Sequence, residues 1–477
     1  MKGDTQLPAN NSEQPLRGRT ADLLIAGGGI TGAGIARDAA MRGLAAVLVE
    51  QADFASGTSS RSSRLLHGGL RYLAQGHIGL VREASVEKMR LCRIAPHLCQ
   101  PMRFLFPVWK GDPRPLWQLA LGVRIYDLLC GGHNLGKSAT HTDVRAFAPG
   151  LRTDNFTGAV SYFDGFTNDA RLVIDTLRSA ERAGATLFNY TRLISVEPAS
   201  EGWHCTVRDQ RSGTETTVRA RAVANATGAW AQTLPPSSVR LRLTKGVHLV
   251  IDRARLAVNS AVVLTEDARI LFVIPWGERV ILGTTDTDYK GDPAAVRTEN
   301  ADVRYILDVV KRGFPGAGIN PSDIIATWAG VRPLIAPRRE RAGAPSEVSR
   351  RHEIRMAKPG WFDVAGGKLT TYRLMAEQAV DRIGEYLGAK LPDSQTATTP
   401  LLSADETRYS GVLPPPLERE AVQHACRNEW AQHLDDVLLR RTAWHSYYGA
   451  GVAEEVSRWM AEEHGWSEQE RITELHQ

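Results

Sequence analysis

Residues 61–73, "RSSRLLHGGLRYL", gather Arg61, Arg64, Arg71, His67 and Tyr72 around the pair Gly68 and Gly69, with leucines between them. An unpaired buried cation is costly, so a segment apolar enough to be interior must bring these charges to an anion. A second group of residues also suits an anion. Gly27, Gly29 and Gly32 in "GGGITG" fit G-x-G-x-x-G after an apolar run, and Glu50 closes the next one. In that context the first glycine permits a tight turn, the second lets backbone N–H groups approach a pyrophosphate, and the third lets helix and strand pack. Glu50 would accept the hydroxyls of an adenosine ribose. This motif serves NAD and FAD alike, and two other stretches separate them. "NATGAW" ends a strand in a small-residue turn, so that the backbone around Ala226 and Gly228 can come close. "AGGKLTTYR" opens a helix whose N-terminal amides around Gly367, Lys368, Leu369 and Thr370 favour a ring that turns anionic on reduction. A flavin has that requirement and a nicotinamide does not.

These residues need elements to hold them. "ADLLIAGGGITGAGIARDAAMRGLAAVLVE", residues 21–50, reads as strand, glycine turn, helix, strand. A helical stretch at 169–184 precedes several strands that lead back to "NATGAW". Longer strands and one helix fill about 240–345, which predicts a second, sheet-based domain. "WFDVAGGKLTTYRLMAEQAVDRIGEYLG" then supplies another strand, turn and helix, so the first domain is discontinuous. Past the proline-bearing stretches near 391–416 the pattern is helical to the end.

A chain of 477 residues divides into two or three domains. With 43% hydrophobic and 23% charged residues it is globular, and a net charge of +5 without a Lys/Arg block argues against a nucleic-acid partner. The five cysteines carry no C-x-x-C and read as buried or free thiols, and no metal site is expected. Residues 1–20 are polar, lack the apolar core of a signal peptide and read as a loose tail, which points to the cytoplasm. The segment from Pro115 to Cys130 is apolar nearly all round. A helix there reaches about 24 Å, too short for a hydrocarbon core of about 30 Å. It reads as a core helix or, given Arg103, Lys110 and Arg114 nearby, as a helix lying at a lipid surface.

The motifs "GGGITGAGIARDAAMRGL", "TSSRSSRLLHGGLRYL", "APHLCQPMRF", "NATGAW", "TKGVHLV", "FVIPW", "GTTDTDYKGDP", "GVRPL", "AGGKLTTYR" and "DDVLLRRT" run in one order from about 22 to 442. In them the chain resembles the FAD-dependent (aerobic) glycerol-3-phosphate dehydrogenases. The resemblance implies an α/β fold: a Rossmann-like FAD-binding domain of the glutathione-reductase-like and amino-acid-oxidase-like kind, a sheet-based substrate domain and a small C-terminal helical domain. The expected ranges are 20–75, 150–238 and 350–390 for the first, 76–149 and 239–349 for the second, with a membrane-contact region at 101–132, and 400–477 for the third. It also implies oxidation of sn-glycerol 3-phosphate to dihydroxyacetone phosphate, with hydride passing to FAD and electrons to ubiquinone or menaquinone, on the inner face of the cell membrane. A homodimer is left open.

By the same resemblance Thr58, Ser59, Ser60, Ser63, His67, Gly68 and Gly69 run along the flavin, and Arg71 and Tyr72 hold the substrate phosphate, a dianion that suits a guanidinium fork. Arg332 polarises the oxygen at C2 and Lys368 sits between flavin and phosphate. His248, in an apolar strand and with an ordinary pKa near neutrality, is the expected acceptor of the C2 hydroxyl proton. The alternatives are a soluble α-glycerophosphate oxidase that forms peroxide from O₂, an amine oxidase of the same superfamily, which so many cations disfavour, and a non-catalytic binding module.

Overall fold

The computed structural model describes residues 16, 18–69, 77–129, 137–139, 141–266, 269–336 and 352–476, without the side chains of 137–142. Its first unit forms where the apolar runs and the glycine turn place it. Strands β1 (Thr20–Ala26) and β2 (Ala46–Val49) flank helix α1 (Ile30–Met41) and are parallel, Ile25 beside Leu48. Continuous apolar runs of this kind suit strands covered on both faces. β10 (Glu215–Asn225) lies parallel on the other side of β1, β18 (Trp361–Gly366) parallel beside β10, and β7 (Thr186–Phe188) beside β2, so distant stretches of chain build one sheet. β17 (His352–Lys358) closes one edge, and β8 (Thr191–Ala199) and β9 (Gly202–Asp209) extend β10 as antiparallel strands. Helices α5 (Asp169–Arg182) and α7 (Tyr372–Leu387) pack with α1 over small residues, including Ala33, Ala36, Ala376 and Ala379. At Gly34 a Cβ would come within 3.0 Å of Ala376, which is how these helices approach so closely.

The second sheet runs β15 (Thr287–Asp288), β11 (Leu241–Asp252), β14 (Arg279–Gly283), β13 (Arg269–Trp276), β12 (Ala261–Glu266), β4 (Gln100–Trp109), β6 (Phe156–Phe166) and β3 (Leu65–Leu66). β16 (Ile324–Ile335) pairs with β11 and β5 (Lys137–Ala139) with β6. Both β3 and β6 fall in ranges the sequence assigns to the first domain, yet they pair here. β6 runs antiparallel to β4 along its length and β3 adds to its end, Leu65 beside Phe166. Helices α2 (Ile78–Ile94), α3 (Leu116–Leu129), α4 (His141–Phe147) and α6 (Asn300–Gly313) accompany this sheet.

The last helices, α8 (Arg419–Asn428), α9 (Trp444–Tyr448), α10 (Ala453–His464) and α11 (Glu468–His476), share a core around Val422, Trp444, Val456 and Met460. Two cysteines expected as thiols are instead joined: Cys92, in the last turn of α2, forms a disulfide with Cys99, their Cα atoms 4.9 Å apart. The turn after α2 brings them together, and their spacing carries no signal for it. Cys205 and Cys426 are free thiols.

Candidate active site

A cavity of about 610 Å³ opens between the two sheets. Its first wall is the glycine turn. Gly27 has φ +110°, and a Cβ on it would stand 2.6 Å from the Ala226 carbonyl oxygen, while one on Gly32 would stand 1.9 Å from that of Gly27. Only glycine allows the β1 turn, α1 and the β10 turn to close on one another this way. Glu50 points at the same place: its Oε2 accepts from the Gly28 N–H at 2.7 Å and its Oε1 from that of Ala52 at 3.0 Å. Burial pushes its pKa up to about 7, against the pull of those two N–H groups. Ser59 accepts from the Ile30 N–H at the start of α1 at 3.0 Å, and the Thr58 hydroxyl donates to the Val331 carbonyl at 2.6 Å, which ties the loop to β16. At the far end Gly366 and Gly367 take φ +72° and +80°, and the Thr370 hydroxyl donates to the His67 carbonyl at 3.3 Å.

The facing wall comes from β11 and β16. Their register sets His248 beside Trp328, Gly246 beside Gly330 and Thr244 beside Arg332, and side chains two apart share a face. The glycines leave room: a Cβ on Gly246 would lie 2.3 Å from the Arg332 guanidinium, and one on Gly330 would lie 2.8 Å from Arg61. Arg332 is held by Asp286 at 3.2 Å and by the Thr284 hydroxyl at 3.0 Å. The His248 ring stacks on Trp328, centroids 5.2 Å apart at 20°, and its Nε2 lies 2.8 Å from the Ser63 Oγ. Burial first, then the charges of Arg332 and Arg64, pull its pKa down to about 3 rather than the near-neutral value its residue type suggests. The imidazole is therefore neutral at working pH. Arg64 lies behind this wall, 4.3 Å from the Trp276 ring centroid and 3.8 Å from Asp169, which also accepts from the Ser62 N–H at 2.9 Å.

Residues 22–381 match the family of FAD dependent oxidoreductases, and residues 394–471 match the C-terminal domain of alpha-glycerophosphate oxidase. Glycerol-3-phosphate dehydrogenase 2 of Mycobacterium tuberculosis is 35% identical over 94% of this chain and 85% of its own length. The aerobic glycerol-3-phosphate dehydrogenase of Staphylococcus aureus is 38% identical over 78% of this chain and 68% of its own. The chain belongs to the FAD-dependent glycerol-3-phosphate dehydrogenase family. A crystal structure of the Bacillus halodurans glycerol-3-phosphate dehydrogenase with FAD superposes with a TM-score of 0.78 at 29% identity, over 97% of this chain and 94% of that one.

FAD is the cofactor of this family member, and the glycine turn, the poised Glu50 and the positive-φ pair Gly366 and Gly367 fit it. Of the cofactor residues expected from sequence, Gly27, Gly29, Glu50, Thr58, Ser59, Ser63 and His67 line the cavity, as do Ala226, Gly228, Gly367, Lys368, Leu369 and Thr370. So do His248 and Arg332. Gly32 lies off the wall and acts by letting Gly27 approach. Ser60, Gly68 and Gly69 are also off the wall. Gly68 instead donates its N–H to the Tyr126 hydroxyl at 3.0 Å, and a Cβ on it would meet that oxygen at 2.5 Å. Arg71 and Tyr72 lie outside the described residues.

Sequence reasoning flagged Arg61 only as one cation of its segment and missed Asp169, Trp328 and the pair Gly246 and Gly330. The glycines carried a signal, since each sits two residues from a matched base or cation and so faces the same side. The stacking of Trp328 on His248 depends on cross-strand register, which no local pattern reveals.

Proposed function

We propose that this chain oxidises sn-glycerol 3-phosphate at C2 to dihydroxyacetone phosphate and passes the electrons to a membrane quinone. The observation that carries this reading is one cavity with a dinucleotide cradle on one wall and, facing it, a neutral histidine among cations. FAD, when bound, supplies the acceptor for the C2 hydride. Lys368 and Arg61, with Arg71 and Tyr72 from the family motif, would take the phosphate dianion. Arg332, held in place by Asp286 and Thr284, would stabilise negative charge growing on the C2 oxygen. His248 is neutral and so has a lone pair to receive the hydroxyl proton.

The electron route rests on α3. Trp117, Leu121, Ile125 and Leu128 stand exposed along one side of it, with Arg114 and Arg124 also exposed. An apolar helix face edged by cations suits the headgroup layer of a cytoplasmic membrane leaflet, where a quinone is within reach. Among the described residues no helix is long and apolar enough to cross a membrane. An oxidase reading is favoured by the match of residues 394–471 to the alpha-glycerophosphate oxidase C-terminal domain. Anaerobic titration of the yellow protein with glycerol 3-phosphate tests the reaction, and bleaching of the flavin band is expected. Stoichiometric peroxide under air, with no reduction of a soluble quinone, would replace the quinone reading with the oxidase one.

A further inference from the structure

We propose that Ser63 is a catalytic proton relay, meeting the substrate's carbinol and handing its proton to His248. This rests on the reading of glycerol 3-phosphate as substrate. The geometry around the imidazole carries it. His248 is only 1% exposed, while Ser63 is half-buried on the cavity wall. The ring is boxed in: Trp328 covers a face, and the β14 backbone crowds an edge so closely that a Cβ on Gly283 would come within 2.4 Å of the ring's Cδ2. Nδ1 is buried and has no hydrogen-bond partner among the described residues. Nε2 is the nitrogen that has a partner, and that partner is the Ser63 Oγ at 2.8 Å. A carbinol reaching for the imidazole must therefore displace the serine or act through it, and the tight packing opposes displacement.

In the relay the carbinol O–H proton moves to the Ser63 Oγ as the serine's own proton moves to Nε2. FAD, when bound, would take the C2 hydrogen with its electron pair, so that the C–O bond would become a carbonyl. Ser63 ends unchanged and His248 ends as imidazolium. Arg332 and Arg64 oppose that cation, and the substrate's dianionic phosphate, arriving in the same cavity, offsets them.

The test compares wild-type, Ser63→Ala and Ser63→Thr holoenzymes by anaerobic flavin bleaching with glycerol 3-phosphate. Loss of a relay lowers the saturated bleaching rate of Ser63→Ala by about 100-fold, with FAD content and half-saturating substrate within about twofold of wild type. Ser63→Thr, which keeps the hydroxyl, recovers to within about tenfold of wild type. Nitrogen NMR of the wild-type holoenzyme, with the His248 signal assigned by its absence from His248→Asn, gives a readout independent of turnover. The relay requires the neutral ring protonated on Nδ1, and a ring protonated on Nε2 overturns it. Bleaching of Ser63→Ala within about threefold of wild type overturns it too, as does a loss matched by lost FAD, which makes Ser63 a cofactor contact. Wild-type protein that no concentration of substrate bleaches removes the substrate reading first and the relay with it; a bleached wild type beside an unaffected Ser63→Ala removes the relay alone.

Discussion

Two regions of this protein gather arginines and treat them oppositely. Where the C-terminal helices meet the FAD-binding sheet, Asp53 receives Arg440 at 2.5 Å and both ends of the Arg441 fork at 2.7 and 2.8 Å. Nearby, Glu429 receives Arg171 through two bonds at 2.6 and 2.7 Å. Burial alone would lower the pKa of these guanidiniums, but the facing carboxylates outweigh it and all three are raised. At the cavity the balance goes the other way. Arg61 and Arg64 are lowered by burial, and the carboxylates near them, Asp435 for one and Asp169 for the other, do not offset it. Nε and Nη1 of Arg64 have no hydrogen-bond partner among the described residues. The seam pairs its arginines closely with the protein's own acids; at the cavity Arg332 keeps Asp286, while Arg61 and the more loosely paired Arg64 leave positive potential for an anion from outside. The matched motif "DDVLLRRT" supplies Arg440 and Arg441 to the first kind.

The largest expected effect breaks the seam. Asp53→Ala leaves two buried guanidiniums short of their main partner, and removing one side of such a cluster costs about 3–5 kcal/mol. Thermal unfolding of the purified protein should show a melting temperature several degrees lower. Arg61→Met should instead leave the melting temperature nearly unchanged, because it removes a half-buried charge that little compensates, while substrate half-saturation rises. Equal destabilisation by the two substitutions would erase the distinction. Next in size is Arg332→Lys, which keeps the charge but loses the fork that spans Asp286 and Thr284; bleaching by glycerol 3-phosphate should slow about 100-fold with FAD retained.

The glycine turn, its acid, the discontinuous first domain and the C-terminal helices are legible in the amino-acid pattern itself, because backbone torsion and apolar periodicity act locally. His248, Arg332 and Lys368 are legible only through motif resemblance, and the fold brings all three to one cavity. Three features are not legible. β6 joins the second sheet by pairing with β4 about fifty residues earlier, and β3 joins by pairing with β6. The Cys92–Cys99 bond depends on how the chain turns after α2. The low pKa of His248 comes first from its burial, then from Arg332 across the strand pair and from Arg64 in the loop that folds over β16. The strand pairing and the histidine's surroundings arise from residues far apart in sequence, and the disulfide from the path of a seven-residue turn that no spacing rule marks.

Glu50 sharpens the comparison through pH, since it is a half-buried acid with no cation paired to it among the described residues. Its pKa is raised to about 7 in the folded protein. That group favours folding below the ordinary glutamate range, and its contribution is lost as pH rises through about 7. Bound FAD would reverse the balance, because ribose hydroxyls donating to the carboxylate would favour its charged form. Binding then releases a proton, so FAD affinity of the apoprotein should rise about tenfold between pH 6 and pH 8 and flatten above. Calorimetry in two buffers of different ionisation enthalpy measures the released proton. Glu50→Gln should remove the pH dependence and weaken binding at pH 8. Affinity that falls as pH rises would mean that Glu50 meets the cofactor protonated.

The smallest effect concerns α3, where both treatments of side chains occur on one helix. Its inner side is closed: the Tyr126 hydroxyl donates to Asp164 at 2.7 Å, and Lys88 reaches the same oxygen at 2.7 Å. Its outer side is open, with Trp117 69% and Leu128 75% exposed. Apolar surface left to water at this density is offset only if something apolar covers it. A leucine side chain entering the headgroup boundary gains about 1 kcal/mol when half of it is buried. Leu128→Gln should therefore lower partitioning onto anionic phospholipid vesicles about fivefold, while bleaching by glycerol 3-phosphate in detergent-free buffer stays at the wild-type rate. The paired change Trp117→Gln with Leu128→Gln should lower it about 25-fold if the two side chains enter independently. Vesicle sedimentation gives both numbers, and unchanged partitioning of the double variant would show that this open side faces something other than lipid.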